Sequence, residues 1–218
     1  MDYTDPKRPI IIGVTGNIGS GKTVFCNALE RYGQKVFYTD MLTREVLGYP
    51  EVMSAITQRW GDRILENGQF SQRKLSNLVF ASPEDLGYLN SIVHPGILLK
   101  MQNLMERHWN LPSITFEIPL LFEASLQEGF DYIVLVTSSP QVRGMRLQHR
   151  DRMHPDEIQM RIDSQMPDQE KHSMSDLIVR NEGTIEDLFQ EALKFVTLIP
   201  NISKRDIKKP TQLYKPYR

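Results

Sequence analysis

Cysteine is nearly absent from this chain. Cys26 is the only one in 218 residues, which excludes an intramolecular disulfide and suits the reducing cytoplasm. Because Cys26 lies in an apolar run, we expect a buried, inert thiol and not a nucleophile. No hydrophobic run approaches the ~20 residues of a membrane span, and the first residues do not resemble a signal peptide. The net charge is −1, so neither a membrane nor a nucleic acid is the expected partner.

Glycine, lysine and threonine cluster in the segment GVTGNIGSGKTVF (13–25). The spacing from Gly16 to Thr23 is G-x-x-x-x-G-K-T, the pattern of a phosphate-binding loop (P-loop). Glycines let successive N–H groups point at phosphate oxygens, Lys22 reaches the β and γ phosphates, and the Thr23 hydroxyl is offered to Mg²⁺. The alternative is a glycine-rich turn with an exposed lysine. The residues predicted to bind nucleotide here are Asn17, Ile18, Gly19, Ser20, Gly21, Lys22, Thr23 and Val24.

Short apolar runs predict five parallel strands, namely PIIIGV, KVFYT, ITFEI, YIVLV and LIV. The predicted fold is therefore α/β: a P-loop NTPase-type five-stranded parallel sheet flanked by helices, with a helical insertion and a helical lid. The core is predicted to comprise residues 1–40, 113–139 and 174–203, the insertion 41–112, without a buried strand, and the lid 140–173. Residues 204–218 carry six Lys or Arg and one Asp, and we expect a poorly ordered basic tail.

Asp40 closes the second predicted strand, at the sheet edge that carries the P-loop. A carboxylate there either accepts a hydrogen bond from an alcohol aligned for attack on a γ-phosphate, or caps the helix that begins MLTREVL. The residues alone do not separate these two readings. Arg44 follows one helical turn later, where it either binds a phosphate or pairs with Asp40.

Three arginines, Arg143, Arg146 and Arg150, follow the fourth predicted strand at spacings of three and four. This spacing places them on one helix face. Their planar guanidinium groups suit phosphate oxygens. In a chain that carries a P-loop, a lid that faces phosphate is favoured over a solvated basic face.

The sequence leaves two interpretations open for each of two further residues. Glu117 lies inside an apolar strand, where a carboxylate is costly unless it is paired or linked to a metal. It either orients Mg²⁺ and its waters from the second shell or is a paired structural acid. His94, followed by Pro95, has no Cys or His at metal-ligand spacing. It is either a helix-entry residue or a substrate contact.

From Ile10 to about Val196 the chain resembles the dephospho-coenzyme A kinase family. The segments that carry the resemblance are GVTGNIGSGKT, YTDMLTREV, LNSIVHP, EIPLLFE, RLQHRD, Gln165 and SDLIVRNEG. The ordered set is more specific than the P-loop, which many families share. The resemblance implies transfer of the ATP γ-phosphate to the ribose 3′-hydroxyl of dephospho-CoA, the last step of coenzyme A synthesis. It also implies ATP with Mg²⁺, a helical CoA-binding domain at 41–112 and a mobile lid.

The resemblance further implies roles for single residues. Asp40, Lys22 and Arg146 are expected to be catalytic, and Arg150, Asn181 and Gly183 to bind ATP, the last two near adenine. Thr15, Asp40, Arg44 and His94 are the expected substrate contacts, and Thr23 and Glu117 the metal residues. The expected assembly is a monomer or a small homo-oligomer.

The chain departs from the family pattern at two positions. Tyr38 replaces the first acid of an Asp-x-Asp pair, and Arg143 replaces a glutamine, where it either strengthens phosphate binding or adds surface charge. Two other functions stay open: a P-loop kinase of another small alcohol or nucleotide, and a nucleotide-dependent switch. No guanine-reading NKxD motif supports the switch.

Overall fold

The computed structural model describes residues 2–151, 158, 161–163 and 165–215, without the side chains of Phe80, Arg150 and Asp151. The helices and strands used below are, in chain order, β1 (Ile10–Thr15), α1 (Lys22–Arg31), β2 (Val36–Tyr38), α2 (Thr39–Leu47), α3 (Pro50–Trp60), β3 (Leu65–Glu66), β4 (Gln69–Phe70), α4 (Gln72–Phe80), α5 (Pro83–Arg107), β5 (Ser113–Glu117), β6 (Tyr132–Thr137), α6 (Pro140–Asp151), α7 (Asp168–His172), β7 (Leu177–Arg180) and α8 (Ile185–Leu198). Among the described residues no helix has the length and hydrophobicity needed to cross a membrane.

The chain divides into two units. The first, called the core unit, comprises Met1–Thr39 and Met105–Lys209, and the second, called the helical unit, comprises Asp40–Leu104 and Pro210–Arg218. This division differs from the predicted domains at several boundaries. The core unit resumes inside α5 and not after residue 112, and it includes the segment predicted as a separate lid.

The five predicted strands form one parallel sheet in the core unit, in the order β2-β5-β1-β6-β7. The predicted fold class is therefore confirmed. The central strand, β1, is buried along its whole length, as a continuous apolar run implies for a strand covered on both faces. The P-loop follows β1 directly, so it lies at the carboxyl edge of the sheet, where ligands bind in this class of fold.

Helices α1 and α8 pack against each other beside the sheet. The rings of Phe25 and Phe195 lie 6.2 Å apart between these helices. A capping box begins α8, because the Thr184 hydroxyl accepts from the Asp187 N–H at 3.1 Å and the Asp187 carboxylate accepts from the Thr184 N–H at 2.9 Å. Cys26 is fully buried, as predicted, and this burial raises the pKa of its thiol well above the usual value.

The helical unit has its own apolar core, formed by residues of α2, α3, α4 and α5 and the turn before β3: Val46, Leu47, Val52, Ile56, Trp60, Ile64, Leu75, Val79 and Val93. It also contains a short antiparallel hairpin, β3–β4, which the apolar pattern did not predict. Asn67 and Gly68 both have positive φ in its turn. An Asn-Gly pair is a strong hairpin signal, so the hairpin was detectable from its turn and not from its two-residue strands.

The basic tail differs from the expected poorly ordered extension. In the core unit the N–H of Lys208 donates to the carbonyl oxygen of Glu128 at 2.9 Å, and the two side chains form an ion pair. The guanidinium of Arg205 pairs with Asp176. In the helical unit, Leu213 is buried. Two of the charges that predicted a solvated tail, Arg205 and Lys208, thus have acidic partners that are remote in sequence.

A buried ion pair anchors the start of β1. Arg8 is only 2% exposed, and the side chain of Asp131 is fully buried. Asp131 accepts from both terminal nitrogens of Arg8 at 2.5 and 2.8 Å, from the N–H of Ile11 at 2.8 Å and from the N–H of Arg205 at 2.7 Å. The buried Asp131 carboxylate thus has four hydrogen-bond donors. We therefore expect removal of either partner of the pair to destabilise the protein.

Replacing Asp131 by Asn tests this expectation. The change keeps the shape of the side chain but leaves the Arg8 guanidinium buried without its counter-charge. Loss of one partner from a buried pair costs about 3–5 kcal/mol of unfolding free energy, which a urea titration measures. The matched control is Glu128→Gln, which removes an exposed ion pair and is expected to cost less than about 1 kcal/mol. Equal losses in the two variants would contradict the assignment.

Candidate active site

The P-loop lies against the ends of β6 and β7. At two of its glycines this contact leaves no room for a side chain. Gly16 has φ 149°, and a methyl group there would overlap the carbonyl oxygen of Val136. Gly21 has φ 96°, and a methyl group there would overlap the side-chain amide of Asn181. Any other residue at these positions would be both strained and obstructed. Gly21 also precedes α1 without a side-chain cap, so the first N–H groups of the helix remain available to an anion.

Lys22 is 9% exposed, which excludes the alternative of an exposed lysine on a glycine-rich turn. Its Nζ donates to the carbonyl oxygen of Asn17 at 3.2 Å. The N–H of Ser20 donates to the same oxygen at 3.1 Å. The ammonium group therefore lies across its own loop, where phosphate oxygens are able to replace a carbonyl as its acceptor. Val24, the last residue predicted in the loop, packs against the apolar core, which leaves only its backbone for a ligand.

Thr23 and Glu117 meet as the sequence predicted for a metal pair. The Thr23 hydroxyl donates to Oε1 of Glu117 at 2.9 Å, although Glu117 lies in β5 and is buried. The hydroxyl of Thr39 donates to the carbonyl oxygen of Glu117 at 2.9 Å. Within the described residues no group of three or more His, Cys, Asp or Glu side chains is placed to hold a metal. Two neighbouring oxygen donors fit Mg²⁺, which keeps most of its waters when it binds a protein.

Arg146 and Asn181 brace the P-loop from outside. Arg146, on α6, donates to Oγ of Ser138 at 2.9 Å and to both the carbonyl and side-chain oxygens of Asn181 at 3.1 and 3.2 Å. The amide nitrogen of Asn181 donates to the carbonyl oxygen of Ser20 at 2.8 Å. Arg146 is therefore part-buried and bonded in this state. The side chain of Arg150, predicted as its partner, lies outside the part of the chain that the structure describes.

Arg143 is not a surface charge. Its side chain is 5% exposed and lies 3.7 Å from Oδ2 of Asp168. Asp168 is held in turn by the Thr137 hydroxyl at 2.9 Å. Among the described residues, Nε and Nη1 of Arg143 have no hydrogen-bond partner. The interpretation of Arg143 as an added surface charge is thus excluded. Helix α6 directs this side chain into the protein, and the backbone of Arg143 lies against Gly19.

The segment predicted as a lid contacts the first half of the P-loop. The N–H of Ile18 donates to Oε1 of Gln165 at 2.8 Å. The side chain of Ile18 packs with Leu147, Ile158 and Ile162 in a small apolar cluster. The loop is therefore held by a side-chain carbonyl and by apolar contact at the same residue.

Two residues that sequence reasoning missed complete this contact. Nζ of Lys171 lies 2.6 Å from Oδ1 of Asn17 and 2.7 Å from Oε1 of Glu123. Lys171 is fully buried. Glu123 was visible in the segment EIPLLFE, but a single lysine in a polar stretch gave no signal of burial.

Asp40 and Arg44 belong to the helical unit. Asp40 is exposed and is the second residue of α2, in its first turn. It does not occupy the N-cap position, so the reading of Asp40 as the cap is wrong. A carboxylate in the first turn interacts favourably with the helix dipole. Arg44 is exposed one turn later, and among the described contacts it forms no ion pair with Asp40, which removes that alternative for Arg44.

Thr15 and His94 occupy different environments. Thr15 ends β1, is fully buried and donates from its hydroxyl to the carbonyl oxygen of Pro119 at 3.4 Å.

His94 lies in the middle of α5, because Pro95 falls inside this helix and does not open it. The helix-entry reading of His94 is therefore wrong. Burial lowers the pKa of His94, so the imidazole is neutral near pH 7 and offers one donor and one acceptor.

A cavity of about 440 Å³ opens beside the end of β7 and the start of α8. Both residues predicted near adenine, Asn181 and Gly183, line it together with Asp187 and Leu188. Most of its lining side chains are polar or charged, and the apolar ones are Ile178 and Leu188. The structure thus brings Asn181 and Gly183 to one cavity in the core unit.

Curated dephospho-CoA kinases are similar to this sequence over most of its length. A curated dephospho-CoA kinase of Fusobacterium nucleatum is 32% identical over 191 residues, covering 87% of this chain and 98% of its own. That of Thermosynechococcus vestitus is 34% identical over 196 residues, covering 88% and 96%.

Solved structures agree with the fold. The crystal structure of TT1252 from Thermus thermophilus has a TM-score of 0.78 at 32% identity, with 88% of this chain and 97% of that chain covered. A dephospho-CoA kinase from Campylobacter jejuni has a TM-score of 0.61 at 24% identity, covering 88% and 97%, and so supports the fold alone. The family model described as CoaE, dephospho-CoA kinase, matches residues 10–187. The chain therefore belongs to the dephospho-CoA kinase family, whose members are transferases that use ATP.

Proposed function

We propose that the protein transfers the γ-phosphate of ATP to the ribose 3′-hydroxyl of dephospho-CoA, the final step of coenzyme A synthesis. Family membership supports the reaction. The observation that carries the proposal is the position of Lys22, buried across a P-loop whose helix N-terminus is uncapped. This arrangement concentrates donors where a polyphosphate gains charge during transfer.

In this proposal the phosphates of ATP bind to the N–H groups of the loop from Asn17 to Val24. Lys22 exchanges the Asn17 carbonyl oxygen for β- and γ-phosphate oxygens. Arg146 and Arg150 face the transferred phosphate as lid residues, and the adenine occupies the cavity that Asn181 and Gly183 line. Because Arg146 already has acceptors in this state, it must exchange hydrogen bonds to reach a phosphate.

Mg²⁺ fits beside Thr23 and Glu117. The Thr23 hydroxyl is the ligand, and Glu117, which accepts from that hydroxyl at 2.9 Å, orients the waters of the ion. The bound ion supplies positive charge to the β- and γ-phosphate oxygens. The hydrogen bond from the Thr39 hydroxyl to the carbonyl oxygen of Glu117 helps to hold the backbone that carries this carboxylate.

Asp40 is proposed to accept the proton of the 3′-hydroxyl, late in a loose transition state. Its exposure in the first turn of α2 leaves the carboxylate accessible to an alcohol. Thr15, Arg44 and His94 are the proposed substrate contacts. Arg44 supplies charge for a phosphate of the acceptor, and neutral His94 supplies a hydrogen bond.

We also propose that the enzyme acts in the cytoplasm as a monomer or a small homo-oligomer. The free, buried Cys26 supports a reducing compartment. Light scattering on the purified chain measures the molecular mass and decides between the two assemblies.

One assay separates this proposal from kinases of other acceptors and from a nucleotide-dependent switch. The protein is mixed with ATP and Mg²⁺, with and without dephospho-CoA, and ADP release is recorded. We expect release that depends on dephospho-CoA. Release with another alcohol only would assign a different kinase, and slow release without an acceptor would assign a switch.

Replacing Lys22 by Met tests the P-loop. Met keeps the buried stem but removes the charge, so we expect a loss of several hundredfold in kcat/KM, about 3–4 kcal/mol of transition-state stabilisation. The melting temperature reports separately on folding, since Lys22 is bonded within its loop. Near-normal turnover in a folded variant would show that this loop is not the phosphate site.

The Asp40→Asn variant tests the proton acceptor. Asn is nearly isosteric but takes no proton, so we expect kcat to fall by roughly 10²–10⁴. The melting temperature is expected to change little, because the lost dipole interaction in the first turn is worth only about 0.3–1 kcal/mol. ATP binding, measured by calorimetry, serves as the control and is expected to be unchanged. An Asn variant that turns over at the wild-type rate would refute the assignment.

Arg146 is tested by replacement with Lys and with Ala. An exposed arginine would contribute little to stability, but the hydrogen bonds of Arg146 to Ser138 and Asn181 predict a loss of about 1–2 kcal/mol in the Ala variant. The Lys variant keeps the charge and loses the planar fork. We expect both to transfer phosphate more slowly per folded molecule. Unchanged specific activity in the folded fraction would limit Arg146 to a structural role.

A further inference from the structure

A fully buried lysine contacts the P-loop without belonging to it. Lys171 lies on α7, and its side chain has no exposed surface. An ammonium group is costly to bury unless it is both paired and hydrogen-bonded. Both conditions are met, because Nζ lies 2.7 Å from Oε1 of Glu123 and 2.6 Å from Oδ1 of Asn17.

The contact closes into a network that fixes the side chain of Asn17. The amide nitrogen of Asn17 donates to the carbonyl oxygen of Met166 at 3.2 Å. The N–H of Met166 donates to Oε1 of Glu123 at 3.1 Å, the same oxygen that pairs with Lys171. The side-chain oxygen of Asn17 thus accepts a hydrogen bond and its side-chain nitrogen donates one. These two bonds fix the orientation of the amide group.

The backbone of Asn17 in turn controls the middle of the loop. Its carbonyl oxygen accepts from the N–H of Ser20 at 3.1 Å and from Nζ of Lys22 at 3.2 Å. Gly16, just before it, has left-handed φ and no side chain to limit the direction of the chain. A change in the orientation of Asn17 therefore moves both the turn that aims the loop amides and the acceptor of Lys22.

We propose that Lys171 is a positioning residue for the P-loop, acting through the side chain of Asn17 and held in place by Glu123. It binds no substrate itself. Its effect falls on the phosphates of ATP and not on the acceptor, because among the described hydrogen bonds its ammonium group contacts the loop residue Asn17 and none of the proposed acceptor contacts. The inference rests on the proposed role of the loop in binding ATP.

The first variant is Lys171→Met, which keeps the volume and removes the ammonium group. We expect the Kd for ATP, measured by calorimetry without acceptor, to rise by between about 10-fold and 10²-fold, since small displacements of positioned groups have effects of this size. The KM for ATP should rise with it, kcat should fall, and the KM for dephospho-CoA should not change. The binding measurement needs no phosphoryl transfer, so it remains informative if the proposed acceptor is wrong.

The matched control is Asp131→Asn, which disrupts another buried pair of the core unit without contact to the loop. It is expected to lower the melting temperature and to leave the Kd for ATP unchanged. The proposal would be overturned if Lys171→Met lowered the melting temperature but kept the wild-type Kd for ATP and the wild-type kcat per folded molecule. The pair of Lys171 and Glu123 would then be structural.

A double-mutant cycle with Asn17→Ala tests the route. If Lys171 acts through Asn17, its replacement has little further effect on the Kd for ATP once Asn17 is Ala. Additive effects would overturn the proposed route. If Lys171→Met does not fold, Glu123→Gln carries the same test, since it removes the carboxylate that holds the ammonium group. A wild-type Kd in that variant would count against the proposal.

Discussion

A steric constraint on the P-loop governs the whole site: two of its glycines stand where a side chain would overlap a neighbour. At Gly21 the neighbour is the amide of Asn181, and the missing side chain lets that amide donate to the carbonyl oxygen of Ser20 at 2.8 Å. Arg146 then binds Asn181. From the other side, the side-chain oxygen of Asn17 accepts from Lys171, and the N–H of Ile18 donates to Gln165. Donors held in this way need little rearrangement when charge develops on a phosphate, which is the basis of electrostatic catalysis.

The buried cations Arg8 and Lys171 of the core unit have carboxylate partners that serve different ends. Arg8 and Asp131 bond to each other and to the adjacent backbone at the start of β1, whereas the P-loop follows the end of that strand. Lys171 gives only one of its bonds to a carboxylate, Glu123, and another to the loop residue Asn17. A buried pair is weak support for stability, because an apolar pair of equal volume is often as stable. The bond to Asn17 is therefore the feature that an apolar replacement could not supply.

The sequence predicted the features that depend on local pattern and missed those that depend on remote partners. The sheet followed from runs of β-branched residues, and the position of the P-loop at its carboxyl edge followed from the glycine-rich motif directly after the first run. The burial of Lys171 could not be foreseen, since its carboxylate lies 48 positions away and its amide partner still farther. The tail was misjudged for the same reason, because Arg205 pairs with Asp176 and nothing in the tail itself shows this.

Tyr38 shows how the fold accommodates a departure from the family pattern. Its hydroxyl lies 2.7 Å from Oε2 of Glu30 and 2.8 Å from Oδ1 of Asn27, both on α1. Burial and, after it, the bond to Glu30 raise the pKa of Tyr38 well above its usual value, so the phenol stays neutral and tied to that helix. It cannot replace the negative charge of an aspartate. Glu117 is bonded to Thr23 at 2.9 Å, so the proposed metal pair forms without a carboxylate at position 38.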